Sequence, residues 1–214
     1  MKIKYLAHAS FLITGEDGTK IITDPYEVGG GIRYKGIDEA ADIVIVSHEH
    51  SDHNYVRGVR GSPTVVRGVG THTVKGINFK GITFYHDKSK GAERGTNNIF
   101  TFTLNGVNVC FCGDLGHTLS QRDADEIGKV DLLLIPVGGF YTIDANEASE
   151  VVDVLNPKVV IPMHYKTRSV DYPIAGVDKF LSGKENVKQL NTSEVDVKTL
   201  PEKREIWVLT PALL

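Results

Sequence analysis

The sequence predicts an α/β fold of two sheets with helices on their outer sides, in one domain spanning residues 1–214. Three observations carry this expectation. Short β-branched and apolar runs, broken by Gly, Pro, Asp and Asn, fill the first half, whereas helical patterns alternate with strands from Ser120 to Ile161. Ile43–Val46, Leu132–Ile135 and Val159–Ile161 are uninterrupted apolar runs, as in strands buried on both faces. Several runs end in His or Asp, so one edge of the sheets would collect polar chemistry.

In chain order, strands are expected over Ile3–Tyr5, Ser10–Ile13, Lys20–Thr23, Ile43–Val46, Thr64–Val66 and Ile82–Tyr85. They continue over Ile99–Leu104, Val107–Cys112, Leu132–Ile135, Val159–Ile161 and Glu205–Leu209. Asn105-Gly106 is a two-residue hairpin signal, because a type I′ turn needs positive φ at both positions. Ser120 can cap a short helix through Ile127. Asp144, with Glu147 three residues later, forms a capping-box pattern for a helix to about Leu155, which Asn156-Pro157 stops. Ile174–Leu181, followed by Gly183, reads as a third helix, and Gly29-Gly30-Gly31 and Lys88–Gly95 read as exposed loops.

Composition narrows the function. Hydrophobic residues make up 41% and charged residues 24%, close to the average for a well-cored protein. At a formal charge of −3, with Lys and Arg scattered, no nucleic-acid partner is expected. No apolar run approaches the roughly 18 residues that span a bilayer, so no membrane insertion is expected. The N-terminus starts a strand pattern directly, without a secretory apolar segment, which points to the cytoplasm. Cys110 and Cys112 fall on one strand face and read as small core residues rather than a disulfide. The sequence leaves homo-oligomerisation open.

The chemistry concentrates in His48-Glu49-His50-Ser51-Asp52-His53, directly after Ile43–Val46. Three histidines and an aspartate so close together could not all be satisfied core groups. Neutral imidazole and carboxylate suit zinc, iron or manganese. In an extended segment His48 and His50 point the same way and can share one ion, while Asp52 and His53, beyond a turn, can reach a second. Further ligands are then needed, and His86, Asp114 and His164, each at the end of an apolar strand, are available. Two carboxylate oxygens let Asp114 bridge both ions.

His48-x-His50-x-Asp52-His53, then Gly113-Asp114 and Pro162-Met163-His164-Tyr165, resemble the signature of the metallo-β-lactamase superfamily in its expected order. Leu6-Ala7-His8-Ala9-Ser10 and Thr23-Asp24-Pro25 resemble the opening of one branch. That branch holds ascorbate-6-phosphate lactonase-like proteins and the phospholipase D acting on N-acyl-phosphatidylethanolamine. The resemblance implies a four-layer αββα sandwich, with His48, His50 and His86 on a first metal, Asp52, His53 and His164 on a second, and Asp114 bridging. The implied cofactors are two divalent ions, zinc first, with manganese or iron as alternatives. They would lower the pKa of a bridging water from about 15.7 toward neutrality, for attack on an ester, lactone or phosphodiester bond. Their residual positive charge favours a small anionic substrate.

Other residues are placed around this centre. Asp52 is also a candidate to hydrogen-bond the nucleophile. Asp24 is expected to orient a ligating histidine. His8 reads as a catalytic-site neighbour or as a hydrogen-bonded core histidine. His86 is preferred to His72 as a ligand, since His72 lies between glycine-rich turns without a strong strand before it. Lys166, Arg94 and His117 are candidate substrate contacts. For the two cations the competing reading is ordinary solvated charge, and for His117 a surface loop.

Overall fold

The computed structural model describes residues 1–214. Its first strands are β1 (Lys2–Ala7), β2 (Ser10–Thr14), β3 (Lys20–Thr23), β4 (Ile43–Val46), β5 (Thr64–Arg67), β6 (Gly70–Val74) and β7 (Ile77–Tyr85). Then come β8 (Thr96–Leu104), β9 (Val107–Phe111), β10 (Leu132–Pro136), β11 (Val159–Met163), β12 (Val187–Gln189), β13 (Glu194–Asp196) and β14 (Glu205–Val208). The helices are α1 (Gln121–Ile127), α2 (Ala145–Leu155) and α3 (Val177–Leu181), with a 3-10 turn at Val56–Gly58.

The strands form a six-stranded sheet, ordered β13-β1-β2-β3-β4-β5, and an eight-stranded sheet, ordered β12-β14-β11-β10-β9-β8-β7-β6. In the first sheet β1, β3 and β4 run in one direction, with β2 antiparallel between β1 and β3. In the second, β7, β9, β10 and β11 share a direction, because β8 is antiparallel to both its neighbours and β9, β10 and β11 are parallel. Each sheet thus presents several co-directional strand ends on one edge.

Side-chain alternation assigns the faces. Ile43 and Ile45 join the main core of 48 buried residues, and Val44 and Val46 join a second core of 14. Phe11 and Ile13 likewise face the first and Leu12 the second. The main core lies between the sheets and continues beneath α2, which buries Ala148, Val151, Val152 and Leu155. The second core covers the outer face of the six-stranded sheet with Tyr26, Ile32, Tyr34, Ile37 and Ala41. This is the expected sandwich, with one layer built of coil and a 3-10 turn rather than α-helix. Pro25, Gly29-Gly30-Gly31 and Gly36 leave that segment no uninterrupted stretch for a helix.

All eleven expected strands are present. The Leu104↔Val107 pair closes the Asn105-Gly106 hairpin with φ of 50° and 78° at its two central residues. Both capping boxes form, Ser120 with Asp123 and Asp144 with Glu147. Asn156 ends α2 in the left-handed conformation. Three strands lie outside the expectation: β6, β12 and β13. The third helix starts at Val177, not Ile174, because the Ala175 backbone is tied to Gly138 and Lys166 in an extended path.

Candidate metal centre

Each potential ligand follows a strand that ends on the shared edge. β1 delivers His8, β3 Asp24, β4 His48, β7 His86, β9 Asp114 and β11 His164. The turn after β4, closed by His53 N–H to the His50 carbonyl at 2.9 Å, brings in His50, Asp52 and His53. His8, Asp24 and His164 have φ of 57°, 31° and 50°, left-handed values that non-glycine residues adopt at a cost of order 1–3 kcal/mol. Their backbones turn sharply off the strand, and the surrounding sheet edge holds them there.

Asp114 is the centre of the group. Its Oδ2 lies 3.2 Å from His53 Nε2, 3.3 Å from His86 Nε2 and 3.3 Å from His164 Nε2. His48 Nε2 and His50 Nδ1 approach to 3.0 Å, and with His86 they form one set of nitrogens within 4.8 Å of one another. His8, Asp52, His53 and His164 form another such set. Gly113 makes the Asp114 position reachable: its φ is +53°, and a Cβ there would stand 2.4 Å from Asn97 Oδ1. That same Oδ1 accepts the Asp114 N–H at 2.8 Å, while Asn97 Nδ2 donates to the Cys112 carbonyl at 2.8 Å.

Behind the imidazoles, fully buried Asp24 fixes two ring orientations. Its Oδ2 accepts from His53 Nδ1 at 2.8 Å and from the Ser47 hydroxyl, and its Oδ1 accepts the Ser47 N–H at 2.7 Å. Because the Ser47 hydroxyl spends its proton on Asp24, its oxygen accepts from His48 Nδ1 at 2.9 Å. Both His48 and His53 therefore present Nε2 to the centre.

Burial pushes His48 down to about 2 and His164 to about 3, and lowers His50, so these rings are neutral at physiological pH. For His53 burial acts the same way, but the Asp114 and Asp52 carboxylates overcome it and raise the ring well above the usual imidazole range. Burial would raise Asp52 and Asp114; the neighbouring imidazoles instead hold both below the usual carboxylate range.

A cavity of about 270 Å³ opens onto the centre, lined by His50, Asp52, His86, Asp114 and His164 together with Arg94, Tyr141 and Tyr172. Arg94 lies over the Tyr141 ring at 5.4 Å. The Lys88–Gly95 loop that carries it is gathered around Asp87, whose carboxylate accepts the N–H groups of Ser89, Gly91, Glu93 and Arg94 at 2.8–3.1 Å.

Two of the expected substrate contacts are not brought to this cavity. Lys166 turns its ammonium to the Tyr172 carbonyl at 2.9 Å. His117 accepts the Tyr85 N–H at Nε2 and donates from Nδ1 to the Thr118 carbonyl, which occupies both its nitrogens in fastening a loop across β7. His72 sits on β6, with Nε2 facing the Gly68 carbonyl, apart from the cluster that His86 joins.

Known proteins share the fold. Residues 2–164 match the model of the beta-lactamase superfamily domain. A UPF0173 metal-dependent hydrolase of Carboxydothermus hydrogenoformans is 31% identical, over 83% of this chain and 88% of its own. The chain belongs to the UPF0173 family of metal-dependent hydrolases, within the metallo-β-lactamase superfamily. A crystal structure of a proposed Zn-dependent hydrolase of that superfamily from Thermotoga maritima superposes with a TM-score of 0.82 at 37% identity, covering 97% of each chain. A metal-dependent hydrolase structure from Parabacteroides distasonis shares the fold, at a TM-score of 0.67 and 18% identity over 97% and 93% of the two chains.

The residues of this UPF0173 member fit a metal centre. Asp114 Oδ1 is buried without a hydrogen-bond partner, and two imidazole nitrogens face each other at 3.0 Å. Unpaired buried polar atoms are costly unless something completes them, and a borderline divalent cation matches this His/Asp set. Sequence reasoning missed Tyr141 and Tyr172. Both lie in irregular segments, where neither strand ends nor ligand spacing marks them out.

Proposed function

We propose that this hydrolase uses two divalent ions, zinc first with manganese or iron as alternatives, to cleave an ester, lactone or phosphodiester bond of a small anionic substrate. The observation that carries the reading is the convergence of His53, His86 and His164 on one oxygen of Asp114. His48, His50 and His86 would hold the first ion and Asp52, His53 and His164 the second, with Asp114 between them. When bound, such ions supply Lewis acidity and lower the pKa of a coordinated water toward neutrality. Every other task falls to the chain. Asp24 sets the ring orientations of His53 and His48. His8, 2% exposed, holds Asp52 through Nε2 at 3.2 Å from Oδ2. Arg94, at the cavity wall, offers the charge for an anionic group.

The test is hydrolysis, by the zinc-loaded protein, of bis(p-nitrophenyl) phosphate, p-nitrophenyl phosphate, p-nitrophenyl acetate and δ-valerolactone, each with and without chelator. One chelator-sensitive activity supports the reading and identifies the bond. Turnover that survives complete metal removal contradicts it. Arg94→Ala should raise KM for the anionic substrates about tenfold and leave metal content unchanged; equal KM would remove Arg94 from the site.

A further inference from the structure

We propose that Tyr172 is a catalytic residue, its phenolic hydroxyl donating a hydrogen bond to the carbonyl or phosphoryl oxygen that gains charge when the scissile group is attacked. This rests on the hydrolytic reading above. It assigns work to a residue that contributes no metal ligand.

The hydroxyl is poorly used within the protein. Tyr5, Tyr26 and Tyr34 bond their hydroxyls at 2.9, 2.7 and 2.6 Å to the His8 carbonyl, the Lys35 carbonyl and Thr167. Tyr172 instead points its hydroxyl into the cavity, where its nearest partner is Asp52 Oδ2 at 3.4 Å. The usual O–H···O distance is about 2.7–2.8 Å, so the donor is only weakly engaged.

The ring, by contrast, is held from several sides. Tyr141 packs against it edge-on at 5.5 Å between centroids, and His8 at 5.9 Å. Gly31 lies against one side of it, where a Cβ would stand 2.8 Å from Cε1. Lys166 grips its carbonyl, and Asp171 ties the segment beside it to the glycine loop through its N–H to the Gly31 carbonyl at 2.8 Å. Asp171 also pairs with Arg33. A fixed ring with a spare donor beside the reacting group is the arrangement that stabilises developing charge without reorganisation.

The bond changes balance without a proton from Tyr172. The oxygen of a hydroxide nucleophile bonds to carbon or phosphorus, and electron density passes to the carbonyl or phosphoryl oxygen, to which the intact phenol O–H donates its hydrogen bond. On collapse the leaving oxygen departs with the scissile pair and takes its proton from water, and the hydroxide so formed replaces the one consumed.

Tyr172→Phe keeps the ring and removes only the donor. In the zinc-loaded protein, metal content and Tm should match wild type. On the panel substrate that wild type hydrolyses, kcat should fall by about 10²-fold, the order of losing one oxyanion donor, with KM within a few-fold. Gly31→Ala, which displaces the ring, should lower kcat in the same direction with both metals retained. Where the substrate is an ester, the loss should be equal for p-nitrophenyl acetate and phenyl acetate. Unchanged kcat in Tyr172→Phe overturns the proposal, as does lost metal, which would mean that the phenol acts by placing Asp52. A loss that grows with the leaving group's pKa also overturns it. If wild type itself hydrolyses nothing on the panel, the proposed bond classes fail and the Tyr172 role with them.

Discussion

At the residue scale, Asp114 and His53 govern the centre. Asp114→Asn keeps the shape of the side chain and removes the charge that three imidazoles share. Occupancy of both ions should therefore fall together in elemental analysis; loss of one alone would refute a bridging position. His86→Ala should lose one ion while the fold persists, whereas His72→Ala should lose none, since His72 lies apart on β6. His53 sets a pH dependence. The raised pKa means that the metal-free ring carries a proton at neutral pH, and a ligating nitrogen must be free of it. Zinc affinity should accordingly rise with pH, and binding near pH 7 should release a proton, measurable in weakly buffered solution by calorimetry in buffers of different ionisation enthalpy. The same heat in every buffer would contradict a protonated His53. The ligand cluster itself was legible in the sequence, because metal chemistry restricts residue types and the strand ends place them. Tyr172 was not, since its role depends on a loop folded back over Gly31.

At the scale of elements, the Lys88–Gly95 loop depends on one carboxylate. Burial alone would raise Asp87, but the amides of Arg94, Gly91, Glu93 and Ser89 hold it below the usual carboxylate range. A depressed folded-state pKa contributes stability that is present above the unfolded value of about 3.9 and lost as pH falls through the folded value. The loop should thus loosen only in acid. Asp87→Asn should loosen it at neutral pH, seen as faster tryptic cleavage after Arg94; unchanged cleavage would show that the loop is held elsewhere. Gly113→Ala meets both a left-handed φ and the Asn97 side chain, and should destabilise the protein by about 3 kcal/mol in chemical denaturation. β12 and β13 escaped the sequence because they are three-residue edge strands, VKQ and EVD. Their pairing with β14 and β1 is set by distant chain rather than by local apolar pattern. β6 was hidden between glycines and shows itself only through its pairing with β7.

At the scale of the whole molecule, two sheets with co-directional strands explain why residues from His8 to His164 meet at one edge. The sandwich was legible because β4, β10 and β11 are apolar on both faces and the helices cap themselves with Ser120 and Asp144. The covering of the six-stranded sheet was not, because coil residues such as Tyr26, Ile32 and Tyr34 carry no periodicity. No helix is long and apolar enough to cross a membrane. The central claim is that this edge holds two ions, and it is tested most directly by zinc content per chain after reconstitution and removal of free metal. The account predicts close to two ions per chain in the wild type. One ion or none, in a folded protein with His48, His53 and Asp114 intact, would contradict it.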